Sequence, residues 1–332
     1  MPELMKAVTF KYKTSDATVI EVKAPEPSAD EILVKIIFSA LDTALDPVIN
    51  KTIVGGLLHK FTTPLFCGWH FSGIIEKLGA NVSSSDFPIS NRVFGHLPYA
   101  GYNGQGSLAE YITIKANECA MIPENVDADI AAASTTEVST ALQALRDKGG
   151  LKANPTTQQT VLINGAGGGV GTAAVQIAKR MGADVTAICS TKDVDKVKQL
   201  GAHVVIDRKK VSNVFSVLTK KQFDVIFDTP AALPAVTSLA YLKPRGNMVL
   251  TAMEPKHLAG YFKSKLIRKG FSMLIVKSKK SDLELIGSWL AEKFQIDIDS
   301  VFKVKDVEDA ASRNRDKTKK GRVVVQVSEG WI

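Results

Sequence analysis

A glycine-rich turn between an apolar strand and an amphipathic helix constrains this chain more than any other feature. Residues 160–171 read TVLINGAGGGVG, and helical periodicity continues to about residue 180. Ala166, Gly168 and Gly171 occupy the three positions of a G/A-x-G-x-x-G pattern. A side chain at Gly168 would block the approach of a pyrophosphate, and Gly171 lets the helix pack close to the strand. The helix N-terminus offers amide groups and a positive dipole end to phosphates, so the turn predicts a dinucleotide site.

The chain divides into three segments that differ in their predicted pattern of strands and helices. From about residue 127 to 252, strands alternate with helices, which indicates a parallel sheet with helices on both faces. Residues 5–122 read as short strands separated by glycine, proline, asparagine and serine, as in a small distorted barrel. The last segment mixes both types, with a strand at 271–276, a capping-box-like helix start at Ser281 and a closing strand at 321–327.

The end of the next strand after the turn indicates which dinucleotide binds. Sites for NAD usually carry an acid about 20 residues after the turn, where it accepts from the ribose 2′-hydroxyl. This chain has Ser190, Thr191 and Lys192 at that spacing, and Arg208 follows the third strand. Hydroxyls and cations suit a 2′-phosphate, so the pattern predicts NADPH. Asp193 leaves an alternative open, because a small shift would place its carboxylate at the ribose.

Short motifs occur in a fixed order over nearly the whole chain. They are MKAV at 5–8, GWHFSG at 68–73, RVFG at 92–95, GSLAEY at 106–111, GAGGGVG at 165–171, LGA at 200–202 with VID at 205–207, and FDT at 227–229. Together they resemble the medium-chain dehydrogenase/reductase superfamily, specifically its zinc-independent NADPH:quinone oxidoreductase branch. The motifs are also similar to those of plant envelope quinone-oxidoreductase-like and alkenal reductase proteins.

The resemblance implies an α/β fold in which a Rossmann doubly wound parallel sheet is inserted in a GroES-like β-barrel domain. The expected parts are the N-terminal portion of the GroES-like catalytic domain at 1–126 and the Rossmann NADPH-binding domain at 127–262. A C-terminal segment at 263–332 is expected to extend the sheet and return to the catalytic domain. A cleft active site and a homodimer are also implied.

The resemblance places the cofactor along the C-terminal edge of the sheet. Asp228, Thr229 and Thr251 match positions at the ends of strands that line it. The predicted cofactor-binding residues are therefore Ala166, Gly167, Gly168, Gly169, Val170, Gly171, Ser190, Thr191, Lys192, Arg208, Asp228, Thr229 and Thr251.

Five residues are predicted on the substrate side. Thr43 and Asp46 lie in the loop that faces the nicotinamide in the family, and Thr140 matches a threonine that contacts it. Tyr99 and Tyr102 lie in a glycine-rich loop that could cap the cleft, where an aromatic ring could stack on a flat acceptor. Ordinary loop packing is the alternative for both tyrosines.

The chain departs from the family at several of these positions. The usual Asn-x-x-Asp motif reads Thr43-Ala-Leu-Asp46, and His70 and the pair Ser90-Asn91 replace an aspartate and a Gly-Asp pair. His70 is a candidate proton donor because an imidazole titrates near neutral pH, with a structural histidine as the alternative. Glu137 replaces a usually apolar residue and is either a surface charge or a substrate-selecting group.

No metal is expected. The ligand positions of zinc-dependent relatives fall near Thr43, Trp69 and Thr136, none of which is a normal zinc ligand. Cys67 and His70 have metal-like spacing but lack two further ligands. Without zinc there is no obvious Lewis acid to polarise an alcohol, so the predicted acceptor is already electrophilic. Quinones and α,β-unsaturated carbonyls meet that requirement.

Charge leaves two other functions open. The net charge is +8, and residues 256–332 carry 17 basic against 10 acidic residues. This segment could meet a CoA phosphate or an acidic carrier protein, as in an enoyl-thioester reductase. It could also serve a non-catalytic, NADPH-binding and RNA-binding protein like zeta-crystallin, although no nucleic-acid motif accompanies it. A solvated basic face is the alternative to both.

The remaining sequence features concern location. No apolar run approaches the roughly 18–20 residues that span a bilayer, so integral membrane association is not expected. The three cysteines are scattered, and the first residues lack the layout of a signal peptide. A cytoplasmic location is expected. The charge allows a peripheral membrane role, but no amphipathic anchor is evident.

Overall fold

The computed structural model describes residues 3–10, 17–42, 66–98, 104–153 and 155–331. Contacts within the chain divide it into two units, Met1–Thr136 with Lys277–Ile332, and Glu137–Val276. The division falls within helix α1 (Ala128–Leu142), which continues as a π-helical segment at Gln143–Lys148. The boundaries expected at 126/127 and 262/263 stay predictions.

The unit Glu137–Val276 is built around a parallel sheet. Its strands are β8 (Thr160–Asn164), β9 (Asp184–Cys189), β10 (Val204–Asp207), β11 (Phe223–Asp228), β12 (Leu242–Leu250) and β13 (Gly270–Met273). The strand order is β10-β9-β8-β11-β12-β13, and every neighbouring pair is parallel. This is the doubly wound order, in which the chain starts in the middle of the sheet and fills first one side and then the other. The helices are α2 (Gly169–Arg180), α3 (Val194–Gln199), α4 (Ala235–Ser238) and α5 (Leu258–Leu266).

The other unit is built mainly from antiparallel strands. They are β1 (Leu4–Phe10), β2 (Ala17–Lys23), β3 (Glu31–Ala40), β4 (His70–Leu78), β5 (Arg92–His96), β6 (Tyr111–Lys115), β7 (Cys119–Met121), β14 (Ile298–Lys303) and β15 (Arg322–Gln326). β3 pairs with β4, β6 and β15, and its register with β4 shifts twice. Such irregularities bend a strand, which is how one long strand serves several neighbours of a barrel-like sheet. Helices α6 (Lys280–Ala291) and α7 (Val307–Arg315) belong to this unit.

Each unit has its own apolar core. Phe71, Ile75 and Ile112 belong to the core of the barrel-like unit and are fully buried. Leu162, Ile226 and Met248 belong to the core of the parallel sheet and are fully buried. Because helices cover both faces of a doubly wound sheet, its strands are apolar throughout. None of the described helices combines the length and apolar character that crossing a bilayer requires.

The helix start expected at Ser281 is wrong in detail. α6 begins at Lys280. Its N-cap is Lys279, which has an extended backbone and whose side chain makes no hydrogen bond to the first turn. Ser281 lies inside the first turn, so its hydroxyl is beyond the capping position. The strand expected at 271–276 is likewise shorter, since pairing with β12 ends at Met273.

Ser90 lies where the family resemblance implies glycine, and its φ is 70°. Non-glycine residues pay steric strain in this region, because their Cβ approaches the backbone. We expect Ser90→Gly to raise the free energy of unfolding by about 1 kcal/mol. The measurement is urea unfolding followed by circular dichroism.

Ser84→Gly is the matched control for this substitution. It lies in the same exposed loop and does not have positive φ. Added backbone freedom in the unfolded chain should therefore lower its free energy of unfolding by about 0.5 kcal/mol. Equal effects of the two substitutions would show that Ser90 is not strained.

Candidate functional site

The glycine-rich turn joins β8 to α2 in the middle of the parallel sheet. Gly165 leaves the strand with φ 79°, and its amide donates to the Ile188 carbonyl at 3.0 Å. α2 begins at Gly169 with Gly168 as its N-cap. Because glycine has no side chain to bond the first-turn amides, these donors are available to an anion at the helix N-terminus.

Gly168 and Gly171 are glycines for different reasons. A Cβ at Gly171 would clash with the Gly165 carbonyl and with Ala166, so the packing of α2 on β8 requires glycine there. A Cβ at Gly168 would meet no heavy atom closer than 3.5 Å, and its φ of −85° is open to any residue. The fold therefore does not demand glycine at Gly168. The open space beside it is a cradle that a side chain would fill, and it fits the diphosphate of a dinucleotide.

Two carboxylates lie against the other glycines of the turn. A Cβ on Gly167 would come within 2.5 Å of Asp193 Oδ2, and one on Gly169 would collide with the Glu137 carboxylate. Asp193 also accepts a hydrogen bond from Ser190 Oγ at 2.7 Å. The sequence left the roles of both acids undecided, because only the fold brings Glu137 from α1 to this turn.

The residues predicted to select the dinucleotide lie at two neighbouring strand ends. Thr191 and Lys192 follow β9, and Arg208 follows β10, its amide donating to the Cys189 carbonyl at 3.0 Å. β9 and β10 are parallel neighbours, so both ends lie at the same edge of the sheet. The side chains of Lys192 and Arg208 are exposed. The edge therefore presents two cations to solvent.

Hydrogen bonds connect the ends of β8, β11 and β12. Thr251 Oγ1 donates to the Thr229 carbonyl at 2.6 Å, and Thr229 Oγ1 donates to the Asn164 carbonyl at 2.9 Å. Asp228 is fully buried and accepts from Asn164 Nδ2 and from the Leu233 amide, each at 2.7 Å. These residues thus meet at the C-terminal edge of the sheet, where Asp228 braces the strand ends with both carboxylate oxygens.

A buried polar cluster surrounds His70 in the barrel-like unit. Its Nε2 lies 3.3 Å from Asp42 Oδ2, and its Nδ1 lies 2.9 Å from Thr135 Oγ1 and 2.7 Å from Thr136 Oγ1. With the proton on Nε2 directed to the carboxylate, Nδ1 accepts from a threonine hydroxyl. β4 pairs His70 with His96 of β5, and both imidazoles are fully buried.

Both histidines are neutral near pH 7. Burial lowers the pKa of His70 from 6.5 to about 4, with help from Arg322, while Asp42 opposes the shift. Burial and the neighbouring His70 lower the pKa of His96 to about 4 as well. An imidazole with so low a pKa carries no extra proton to give at neutral pH. The partners on both ring nitrogens and the lowered pKa together favour the structural alternative for His70 over the proton donor.

The positions that correspond to zinc ligands in zinc-dependent relatives are occupied here by residues that are not normal zinc ligands. Trp69 is buried, Thr136 bonds to His70, and Thr43 lies outside the described residues. Neither an indole nor a threonine hydroxyl is a normal zinc ligand. Within the described ranges, no three His, Cys, Asp or Glu side chains are grouped so that they could hold a metal ion. Cys67 is buried, while both ring nitrogens of His70 face other partners.

Most of the predicted substrate side lies beyond the part of the chain that is described. This applies to Thr43, Asp46, Tyr99 and Tyr102. Thr140 is described and lies in α1, with a side chain that is almost completely buried. The assignment of these residues to the substrate stays a prediction.

Comparisons with known proteins agree with this architecture. The family description "Alcohol dehydrogenase GroES-like domain" matches residues 28–124, and "Zinc-binding dehydrogenase" matches residues 169–296. A chloroplastic quinone-oxidoreductase homolog of Spinacia oleracea is 30% identical over 313 residues, which cover 92% of this chain and 93% of the relative. Trans-enoyl reductase pgmF of Aspergillus terreus is 29% identical over 371 residues, covering 100% and 98%.

A solved structure shows the same fold. The quinone oxidoreductase from Coxiella burnetii has a TM-score of 0.83 at 24% identity, with coverage of 98% of this chain and 99% of that chain. The predicted fold class is therefore confirmed, with a Rossmann doubly wound parallel sheet and a GroES-like β-barrel domain.

Substituting the two glycines separately distinguishes packing from ligand binding. We expect Gly168→Ala to keep the thermal midpoint and to weaken binding of a nicotinamide dinucleotide more than 10-fold, because its methyl group fills the cradle. Gly171→Ala is expected to cost about 1–3 kcal/mol of stability through overpacking. Differential scanning fluorimetry and titration of nicotinamide fluorescence measure the two effects. Wild-type affinity in Gly168→Ala would place the diphosphate elsewhere.

The buried histidines predict acid destabilisation. Because their folded-state pKa of about 4 lies below the unfolded value of 6.5, the unfolded chain binds protons first. The contribution of each neutral histidine to the free energy of unfolding is therefore fully present above pH 6.5. It is lost as pH falls from 6.5 to 4, by up to about 3 kcal/mol for one histidine.

The measurement is the free energy of urea unfolding as a function of pH, in the wild type and in His70→Gln. The slope against pH, rather than the absolute stability, reports the titration. Loss of one titrating imidazole should lower the slope between pH 6.5 and 4 by up to about 1.4 kcal/mol per pH unit. An unchanged slope in both His70→Gln and His96→Gln would contradict the assignment.

Proposed function

The chain belongs to the medium-chain dehydrogenase/reductase superfamily, a family of oxidoreductases that use a nicotinamide cofactor, and we propose that it transfers hydride from NADPH to a quinone or an α,β-unsaturated carbonyl. The observation that carries the proposal is the open cradle beside Gly168 at the start of α2. The similarity to a relative named a quinone-oxidoreductase homolog supports the class of acceptor.

The cofactor's diphosphate would be held by the backbone of residues 166–171. The choice of NADPH rests on Lys192 and Arg208, two exposed cations at neighbouring strand ends, which suit a 2′-phosphate. Asp193 is held by Ser190 and faces Gly167, so its carboxylate is directed to the turn. Asp228, Thr229 and Thr251 would support the cofactor by bracing the edge of the sheet.

When bound, the nicotinamide supplies the hydride, and the protein positions the acceptor and excludes water. Trp69 and Thr136 offer no normal zinc ligand, so the side chains present suit an acceptor that is already electrophilic. Water or a tyrosine hydroxyl would supply the proton that the product needs. The residues proposed on the substrate side are Thr43, Asp46, Tyr99, Tyr102 and Thr140.

Reduction of an enoyl thioester is the second candidate. The relative named trans-enoyl reductase matches the full length of this chain. The basic residues of 256–332 would then attract a CoA phosphate or an acidic carrier protein. The homodimer and the cytoplasmic location stay predictions, and nucleic acid is not a proposed partner.

The test of the proposed function is NADPH consumption at 340 nm. The acceptors are 9,10-phenanthrenequinone, 1,4-benzoquinone, a short alkenal and crotonyl-CoA, with NADH and a metal chelator as controls. Chelator-resistant turnover of the quinones or the alkenal with NADPH is the expected result. Turnover of crotonyl-CoA alone would favour the thioester reductase. Tight NADPH binding without any turnover would overturn both and favour a non-catalytic protein.

The two exposed cations can be tested directly. We expect Lys192→Ala combined with Arg208→Ala to weaken NADPH binding at least about 100-fold and to leave NADH binding unchanged, because each charge-assisted contact contributes roughly 1.5–3 kcal/mol. Lys198→Ala, an exposed lysine on α3, is the control. Calorimetric titration with both dinucleotides gives the dissociation constants. A parallel loss for NADH and NADPH would contradict the assignment of these cations to the 2′-phosphate.

A further inference from the structure

Helix α5 carries an apolar stripe on its outer face. Leu258, Phe262 and Leu266 are 48%, 64% and 85% exposed. They are spaced four residues apart, so they lie one above another on the same face of the helix. Three large apolar side chains in one exposed row differ from the scattered apolar residues of an ordinary surface.

The orientation of α5 is set by its opposite face. Gly260 lies so close to Ala235 that a Cβ would clash with it, and Ser264 is fully buried. The Tyr261 ring packs edge-on against Phe271 of β13, with ring centroids 6.3 Å apart. Small and aromatic residues therefore pack the helix against its own unit, and the apolar stripe stays exposed to solvent.

Positive charge surrounds the stripe. Residues 255–276 contain five basic residues and no acidic one. Lys263 and Lys265 lie on either side of the stripe by helical geometry, Arg268 follows the helix, and all three are exposed. Burial and the nearby Lys221 and Lys263 lower the pKa of Lys269, which is consistent with a concentration of cations in this region.

We propose that the face formed by Leu258, Phe262, Leu266, Lys263 and Lys265 binds peripherally to an anionic lipid bilayer. An apolar row flanked by cations matches the boundary between acyl chains and acidic headgroups. A second copy of this chain would place its own lysines beside these lysines, and the repulsion between like charges opposes that contact. A nucleic acid would pair with the lysines and leave the apolar row exposed. This inference is independent of the reaction proposed above.

The test is co-sedimentation with vesicles in 0.1 M NaCl, comparing phosphatidylcholine alone with a mixture containing one quarter phosphatidylglycerol. We expect binding to the anionic vesicles only. Each lysine near such a surface contributes about five-fold in affinity, so Lys263→Glu with Lys265→Glu should weaken binding at least about 25-fold. Phe262→Ser with Leu266→Ser should weaken it about 10-fold through lost apolar burial.

Two control variants match these changes. Lys148→Glu with Lys152→Glu alters the net charge equally at exposed positions outside α5, and Val217→Ser removes an exposed apolar side chain elsewhere. Both should bind like the wild type, and all variants should keep the wild-type thermal midpoint and NADPH affinity. These readouts separate failure of this inference from failure of the proposed reaction.

Three outcomes would overturn the inference. The first is a wild-type protein that does not bind the anionic vesicles. The second is full binding by Phe262→Ser with Leu266→Ser, which would indicate adsorption by charge alone, as to a nucleic acid. The third is a change of mass in light scattering for that same variant, which would make the stripe an interface between copies of this chain.

Discussion

The contact between the start of α2 and the end of β8 is the constraint on which the candidate site depends. Gly171 permits it, because any side chain there would meet the Gly165 carbonyl. Once the helix is seated, its first-turn amides open beside Gly168, and the turn comes within reach of two carboxylates from other elements, Glu137 and Asp193. The candidate site for an anion is thus bordered by acids. These acids restrict the space around the turn and leave the cradle at Gly168 as the open approach for the proposed diphosphate.

The His70 cluster shows how the barrel-like unit accommodates a departure from its family. The family resemblance implies an aspartate at position 70, and here a histidine takes its place. The carboxylate that faces it comes instead from Asp42, and hydroxyls of α1 satisfy the other ring nitrogen. A buried imidazole with partners on both nitrogens is stable in its neutral form, since burial disfavours the charged one. The histidine therefore differs in chemistry from the implied aspartate, and both of its buried ring nitrogens have partners.

Much of the fold was predictable because its signals are local. Runs of apolar β-branched residues, the 3.6-residue period of α2 and the glycines of the turn report their own conformation within a few residues. Motif order then supplied the fold class. The start of α6 was misplaced because capping depends on the path of the entering backbone, which Ser281 alone does not reveal. The partners of His70 were not predictable either, because Asp42 and Thr136 reach it only through sheet pairing and helix packing.

By itself, the sequence determined the parallel sheet, the position of the glycine-rich turn and the two cations, Lys192 and Arg208, that follow the next two strands. Each follows from short-range patterning or from the conformational needs of glycine. Tertiary structure alone decided which charged groups face the turn, that the histidines are neutral, and that Leu258, Phe262 and Leu266 point outward. An apolar row four residues apart predicts burial, yet Gly260 and Ser264 on the opposite face allow the closer packing. Burial is a property of the whole fold, because it depends on which face of a helix finds the better neighbour.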